Sequence, residues 1–140
     1  MYASQSDIED RLDPKHLIEL ADDDGDGTPD SAVIDAAIAD ADGLIDSYLN
    51  VRYDVPLATV PALVKKLSAD LAVAALFARR REAASPTHEK RAREATALLL
   101  ALGKGDVLLA GVSQGGAKGT PESTTKDDPK VFGRDSLEVY

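Results

Sequence analysis

The chain has 140 residues, 16 Lys and Arg against 25 Asp and Glu, and a formal net charge of −9, a size that suits one domain with a buried core. It has no Cys and no Trp, two Phe and four Tyr, which excludes disulfides, thiolate metal sites and cysteine catalysis and leaves an aliphatic composition suited to closely packed helices. No stretch approaches the ~18–20 apolar residues that span a bilayer, and Met1-Tyr2-Ala3-Ser4-Gln5 has neither the basic start nor the apolar core of a signal peptide, so a soluble protein made in the cytoplasm, with no membrane partner, is expected.

In chain order, Ser6-Asp7-Ile8-Glu9 has capping-box spacing and predicts a short helix. Asp13 as N-cap with Pro14 at the first helical position predicts a second, running through Leu17, Ile18 and Leu20. The acidic run from Asp22 to Asp30 ends it. Asp22, Asp24, Asp26 and Asp30 stand at positions 1, 3, 5 and 9 of a calcium-loop pattern with Gly27 at position 6, but position 12 is Val33, where that pattern has a bidentate Glu. Two readings follow: a partial calcium site on these four carboxylates, or a solvated turn. In the turn, Gly25 and Gly27 take positive φ and Asp30 or Ser31 caps the next helix. The turn is the stronger reading, because calcium needs a complete set of oxygen ligands.

From Ser31 to Leu49 the apolar positions Ile34, Ala37, Ile38, Ala41, Ile45, Tyr48 and Leu49 recur at three- and four-residue intervals, which predicts a helix with one buried face. A connector from Asn50 to Thr59 leads to Pro61, which opens another helix with a stripe of Leu63, Val64, Leu67, Leu71, Ala74, Ala75 and Ala78. Asp70 falls inside that apolar segment, where a salt bridge is expected, with Arg52 as its partner. Arg79, Arg80 and Arg81 close the helix, where cations suit the dipole. A last helix is predicted from Thr87 to Leu102, stopped by Gly103. The fold class is therefore all-α: a small bundle of about four helices over residues 1–112, followed by an extended C-terminal arm over 113–140.

Charge is uneven along this plan. Residues 1–50 carry two Lys and Arg against fourteen Asp and Glu, residues 51–110 carry ten against six, and residues 111–140 carry four against five, giving −12, +4 and −1. Opposite patches let copies pack against one another around a ring, with Arg79, Arg80, Arg81, Arg91 and Arg93 as the candidate inter-subunit contact. The arm is rich in Gly, Ser, Thr, Lys and Pro, yet its end carries Val131, Phe132, Arg134, Asp135, Leu137 and Tyr140, which suits docking on another subunit in a groove or as an added strand. His16 and His88 lie on separate helix starts with no partner pattern, so neither a metal pair nor a catalytic dyad is expected. Gly115 to Thr120 lacks the strand-loop-helix setting of a phosphate loop. The basic cluster lacks interleaved aromatics, so nucleic acid is not expected as a primary ligand. No residue set points to an enzyme, and calcium is the one cofactor the sequence raises.

Several segments together resemble a known family, the Mu-like phage head-tail connector proteins. They are Met1-Tyr2-Ala3 with Asp7-Ile8; Asp24-Gly25-Asp26-Gly27 with Asp30; Ala41-Asp42, Leu44-Ile45-Asp46, Tyr48-Leu49 and Arg52-Tyr53 with Pro56-Leu57; Pro61 and Leu63; Asp70-Leu71-Ala72; Arg79-Arg80; and Val131-Phe132 with Arg134-Asp135-Ser136-Leu137. The resemblance implies a helical adaptor domain in a virion, forming a homo-oligomeric, dodecameric ring beneath the portal protein at the phage neck. It further implies that the ring receives a stopper or tail protein and that the C-terminal arm reaches the portal; an acidic surface facing the channel would let DNA pass without specific binding, since like charges repel. A calcium-binding helical interaction module and another neck component such as a stopper are the alternatives.

Overall fold

Local start and stop chemistry sets the helix boundaries, seen in a computed structural model that describes residues 1–115; the arm positions Val131, Phe132, Arg134, Asp135, Leu137 and Tyr140 lie outside the described residues. There are five helices among the described residues: α1 (Gln5–Glu9), α2 (Pro14–Ala21), α3 (Ser31–Leu49), α4 (Ala62–Arg80) and α5 (Pro86–Lys104). The all-α class holds, and the two short N-terminal helices raise the count above four.

The cap of α1 lies two residues earlier than its sequence spacing indicates. Ser4 is the N-cap, and its backbone N–H and hydroxyl both donate to Asp7 Oδ2, at 2.8 and 2.6 Å. Asp13 caps α2 as expected, its carboxylate accepting from the Lys15 N–H at 2.9 Å with Pro14 in the first turn. α5 starts one residue before Thr87 and runs through Gly103 to Lys104. Its stop is Gly105, at φ 86°, whose N–H reaches the Ala101 and Leu102 carbonyls. A Cβ at Gly105 would displace the Arg52 guanidinium, but it is the positive φ that requires glycine there.

α3 and α4 run antiparallel: the first turns of α3 (Ala32, Ala36, Asp40) lie beside the end of α4 (Ala75, Arg79). α4 and α5 are antiparallel too, with Ala74, Phe77 and Ala78 against Glu89, Ala92 and Arg93. α1 and α2 pack on the α3–α4 pair. Ile34, Ile38, Ile45 and Leu49 of α3, Val64, Val73 and Leu76 of α4, and Leu99 and Leu102 of α5 are fully buried, so the predicted stripes of α3 and α5 face the shared core. On α4 only Val64, Leu67 and Leu71 of the predicted stripe are buried; Ala74 and Ala75 are half-buried, Ala78 is exposed, and the buried face of the second half runs instead through Val73, Leu76 and Phe77. The segment after α5 continues the packing: the Leu109 side chain is buried, and Gln114 bridges to Tyr53 in antiparallel fashion, two residues past the expected domain end at 112.

Candidate functional site

Tyr2 organises a polar cluster between the N-terminal strap, α3 and the connector. Its phenol donates to Asp46 Oδ1 and accepts from the Leu57 N–H at 3.0 Å, while its own N–H donates to Asp42 Oδ2 at 2.7 Å. The other Asp42 oxygen accepts from the Ser68 hydroxyl at 2.6 Å. Two aspartates of α3 thereby tie the N-terminal strap, the connector and α4 to one another. Burial, then the hydrogen bond to Asp46, pushes the Tyr2 phenol up to about 12, so it stays a neutral donor at any physiological pH.

Asp70 is paired as expected, but with a different partner. Its buried carboxylate accepts from Arg11 Nε at 3.0 Å, and the Arg11 head also reaches the Asp7 carbonyl at 2.6 Å. Arg52 instead donates to the Gly103 and Lys104 carbonyls at 3.2 and 2.7 Å, satisfying the open C-terminus of α5. Tyr53 extends the brace, its phenol accepting from the Leu109 N–H at 3.0 Å. Tyr2, Asp42, Asp46, Arg52, Tyr53, Leu57 and Asp70 all belong to the segments that carry the family resemblance. Physically, that signature is a framework for holding helices and connector together.

The acidic turn spends most of its carboxylates on its own backbone. Asp22 accepts from the Gly25 and Gly27 N–H groups at 2.6 and 3.0 Å, Asp24 from the Asp26 N–H at 3.1 Å, and Asp30 from the Asp23 N–H at 2.8 Å. Gly25 and Gly27 have the positive φ expected of the turn. Asp22, Asp24 and Asp30 each place one oxygen within 4.8 Å of the others, a geometry that could hold a cation. Asp26, the fourth predicted ligand, is not brought into that group; its carboxylate accepts from the Thr28 N–H and hydroxyl at 2.7 and 2.6 Å, which holds it below the ordinary carboxylate range.

Arg79 and Arg80 are engaged within the chain. Arg79 donates to the Asp23 carboxylate; Arg80 donates to the other Asp23 oxygen at 2.8 Å and to the Asp22 carbonyl at 2.6 Å; both reach the Leu20 carbonyl at 3.3 Å. They close the C-terminus of α2 and pin the turn to α4, and the Arg79 hydrogen bond holds the Asp23 carboxyl below its usual range. Of the proposed contact set, Arg81, Arg91 and Arg93 are exposed and make no ion pair among the described residues.

The histidines, which have no sequence partner, meet around one ring. His16 of α2 stands edge-on to Phe77 of α4, with centroids 5.8 Å apart, and His88 of α5 lies against the same ring at 5.6 Å. His16 Nε2 is also 3.5 Å from Glu82. Burial, and next the neighbouring Arg91, lowers the His88 pKa. One sequence signal for this contact was that Phe77 is one of only two Phe in the chain.

Together these features define a small all-α domain whose helices are braced by internal polar pairs, and no helix among the described residues is long and apolar enough to cross a membrane. The family model described as Bacteriophage Mu, Gp36 matches residues 2–127, so the chain belongs to that family of Mu-like phage proteins. Gene product J of Escherichia phage Mu is 51% identical to it over 41 residues, 29% of each chain; the matched stretch thus spans under a third of that relative.

Proposed function

We propose that the chain is a structural head-tail connector of a tailed phage or prophage-derived particle, and not an enzyme. Copies made in the host cytoplasm form a ring, dodecameric to match the portal, in the neck of the virion. The portal protein lies on one side, a stopper or tail protein on the other, and the C-terminal arm with Val131, Phe132, Arg134, Asp135, Leu137 and Tyr140 docks on the portal. The observation that carries this reading is the match to the Mu family over residues 2–127. The fold supports it: with its polar groups paired inside, the block keeps its shape while its outer faces meet other subunits. The −12 balance of residues 1–50 also suits a channel past which DNA slides, since like charges repel.

The test is complementation of a phage lacking this gene with a chain truncated before Val131. Filled heads and free tails that fail to join are expected, and particles joined at normal yield would overturn the docking role of the arm. A calcium-binding interaction module is the second reading, favoured by the convergence of Asp22, Asp24 and Asp30.

A further inference from the structure

The outward side of α5 carries a stripe that the internal bracing does not use. Arg93, Ala97, Leu100 and Lys104 follow one another at intervals of four, three and four residues, so they share one face of the helix. That face is directed away from Ala95, Leu99 and Leu102, which are buried in the core. Beside it, Tyr48 of α3 forms a shallow groove with Ala92, Arg93, Thr96, Ala97 and Leu100. Leu44, one helical turn before Tyr48, is 41% exposed, and Leu100 is 46% exposed. The result is an apolar strip with a cation at each end, and neither Arg93 nor Lys104 has an ion-pair partner among the described residues.

A second patch has the opposite charge. Where α1, α2 and the exit of the acidic turn meet, Leu12, Pro14, Leu17, Ile18 and Pro29 line a mostly apolar hollow with Glu9 on its edge. Glu9 and the adjacent Asp10 are exposed and make no ion pair among the described residues. α1 and α2 pack on α3 and α4, so this hollow and the α5 stripe lie on different faces of the domain.

We propose that the occupant of the α5 stripe is a second copy of this chain, which docks through its α1–α2 corner, Glu9 and Asp10 meeting Arg93 and Lys104 around an apolar centre. This rests on the ring reading above and deepens it. Charge complementarity selects the occupant, because the acidic corner and the basic stripe are self-repelling when like meets like and attractive when each meets the other. An interface between two different patches is head-to-tail, the kind that propagates from subunit to subunit and closes into a ring when the rotation fits. Arg79 and Arg80, tied to the acidic turn, take no part in it.

Self-association of the full chain is measured by analytical ultracentrifugation, alone and with portal protein. The Arg93→Glu/Lys104→Glu variant is expected to self-associate roughly tenfold more weakly, and adding Glu9→Lys/Asp10→Lys to the same chain restores the wild-type value. Since the chain has no Cys, a bis-maleimide added to a mixture of Glu9→Cys and Leu100→Cys proteins is expected to give dimers that neither protein gives alone. Far-UV circular dichroism checks that each variant is folded. Oligomers that survive the double charge reversal, or that form without the mixed cross-link, overturn this interface and leave the ring reading standing. A wild-type chain that stays monomeric in both conditions overturns the ring itself, and this interface with it.

Discussion

Asp42, Asp46 and Asp70 each bond a residue at least 26 positions away, in another segment of the fold, whereas Asp22, Asp24 and Asp26 bond backbone within five positions. The residue type is the same and the local density of acid is far higher in the turn. What differs is burial and reach: the first group is enclosed by α1, α4 and the connector, while the turn faces water. A carboxylate among packed helices must be fully partnered or it costs free energy, so its partners become fixed points of the fold. A carboxylate in a solvated loop shapes only the loop.

That contrast is broken most sharply at Asp70. Asp70→Ala leaves the Arg11 guanidinium partly buried without its counter-charge, a change worth about 3 kcal/mol. For a domain of this size that corresponds to a fall in Tm of roughly 10 °C, read by thermal denaturation. Replacing Arg11 and Asp70 together by Met and Leu should recover much of the loss, because an apolar pair has no charge to desolvate. A single substitution that moves Tm by less than about 3 °C would show that Asp70 and Arg11 are not the fixed point their geometry makes them.

Tyr2→Phe is next in size. It removes the phenol from between Asp46 and the Leu57 N–H and leaves both short of a partner, for about 1–2 kcal/mol. A spectrophotometric tyrosine titration gives an independent readout. The phenol that ionises near 12 in the wild type disappears from the late part of the curve, and its persistence in the variant would assign that late phenol to another tyrosine.

Much of the fold was legible because helix periodicity and capping are local. The apolar spacing of α3 and α4 and the Asp13-Pro14 start each lie within a few residues of what they determine, and they placed those helices correctly. What was misread depends on long-range closure. Gly103 is a plausible stop for α5, yet the helix continues to Lys104, whose carbonyl is capped by Arg52 from 52 positions away. The sequence marks Asp70 as needing a cation, but Arg11 reaches it only because α1 folds back on α4, across 59 positions. Of the acidic turn, sequence gave the loop and its glycines, while the docking of Asp23 on Arg79 and Arg80 came only with the packing of α2 on α4.

His88 sharpens the comparison from the basic side. Its pKa is lowered in the fold by burial first and by Arg91 next, with Asp70 acting the other way and His16 adding to the lowering. Folding therefore disfavours the protonated ring. The stability is full above the ordinary value of 6.5 and is lost as pH falls below it toward the lower folded-state pKa. Denaturant midpoints measured between pH 7.5 and 5 should fall, and His88→Asn should flatten that slope while leaving the Asp7 contribution, which is lost only at much lower pH. Asp7 is held at about 2, chiefly by its hydrogen bonds from Ser4, and so weakens only as pH drops below 3.8. An unchanged slope in His88→Asn would assign the pH 5–7.5 loss to another group.

The smallest effect belongs to the acidic turn itself. Asp23→Ala frees both guanidinium groups from a solvent-exposed carboxylate, and water and salt screen that pairing already. A shift in Tm of only a few degrees at low ionic strength is expected, vanishing at high salt, in contrast to Asp70, whose buried pairing salt barely reaches. Calcium calorimetry then separates a shaped loop from a metal site. If Asp22, Asp24 and Asp30 serve only to hold the turn, wild type and Asp24→Ala give the same unsaturable heat. A saturable heat present in wild type and absent from Asp24→Ala would mean that the exposed acids, too, have a partner, and that the difference between the two groups lies in who supplies it.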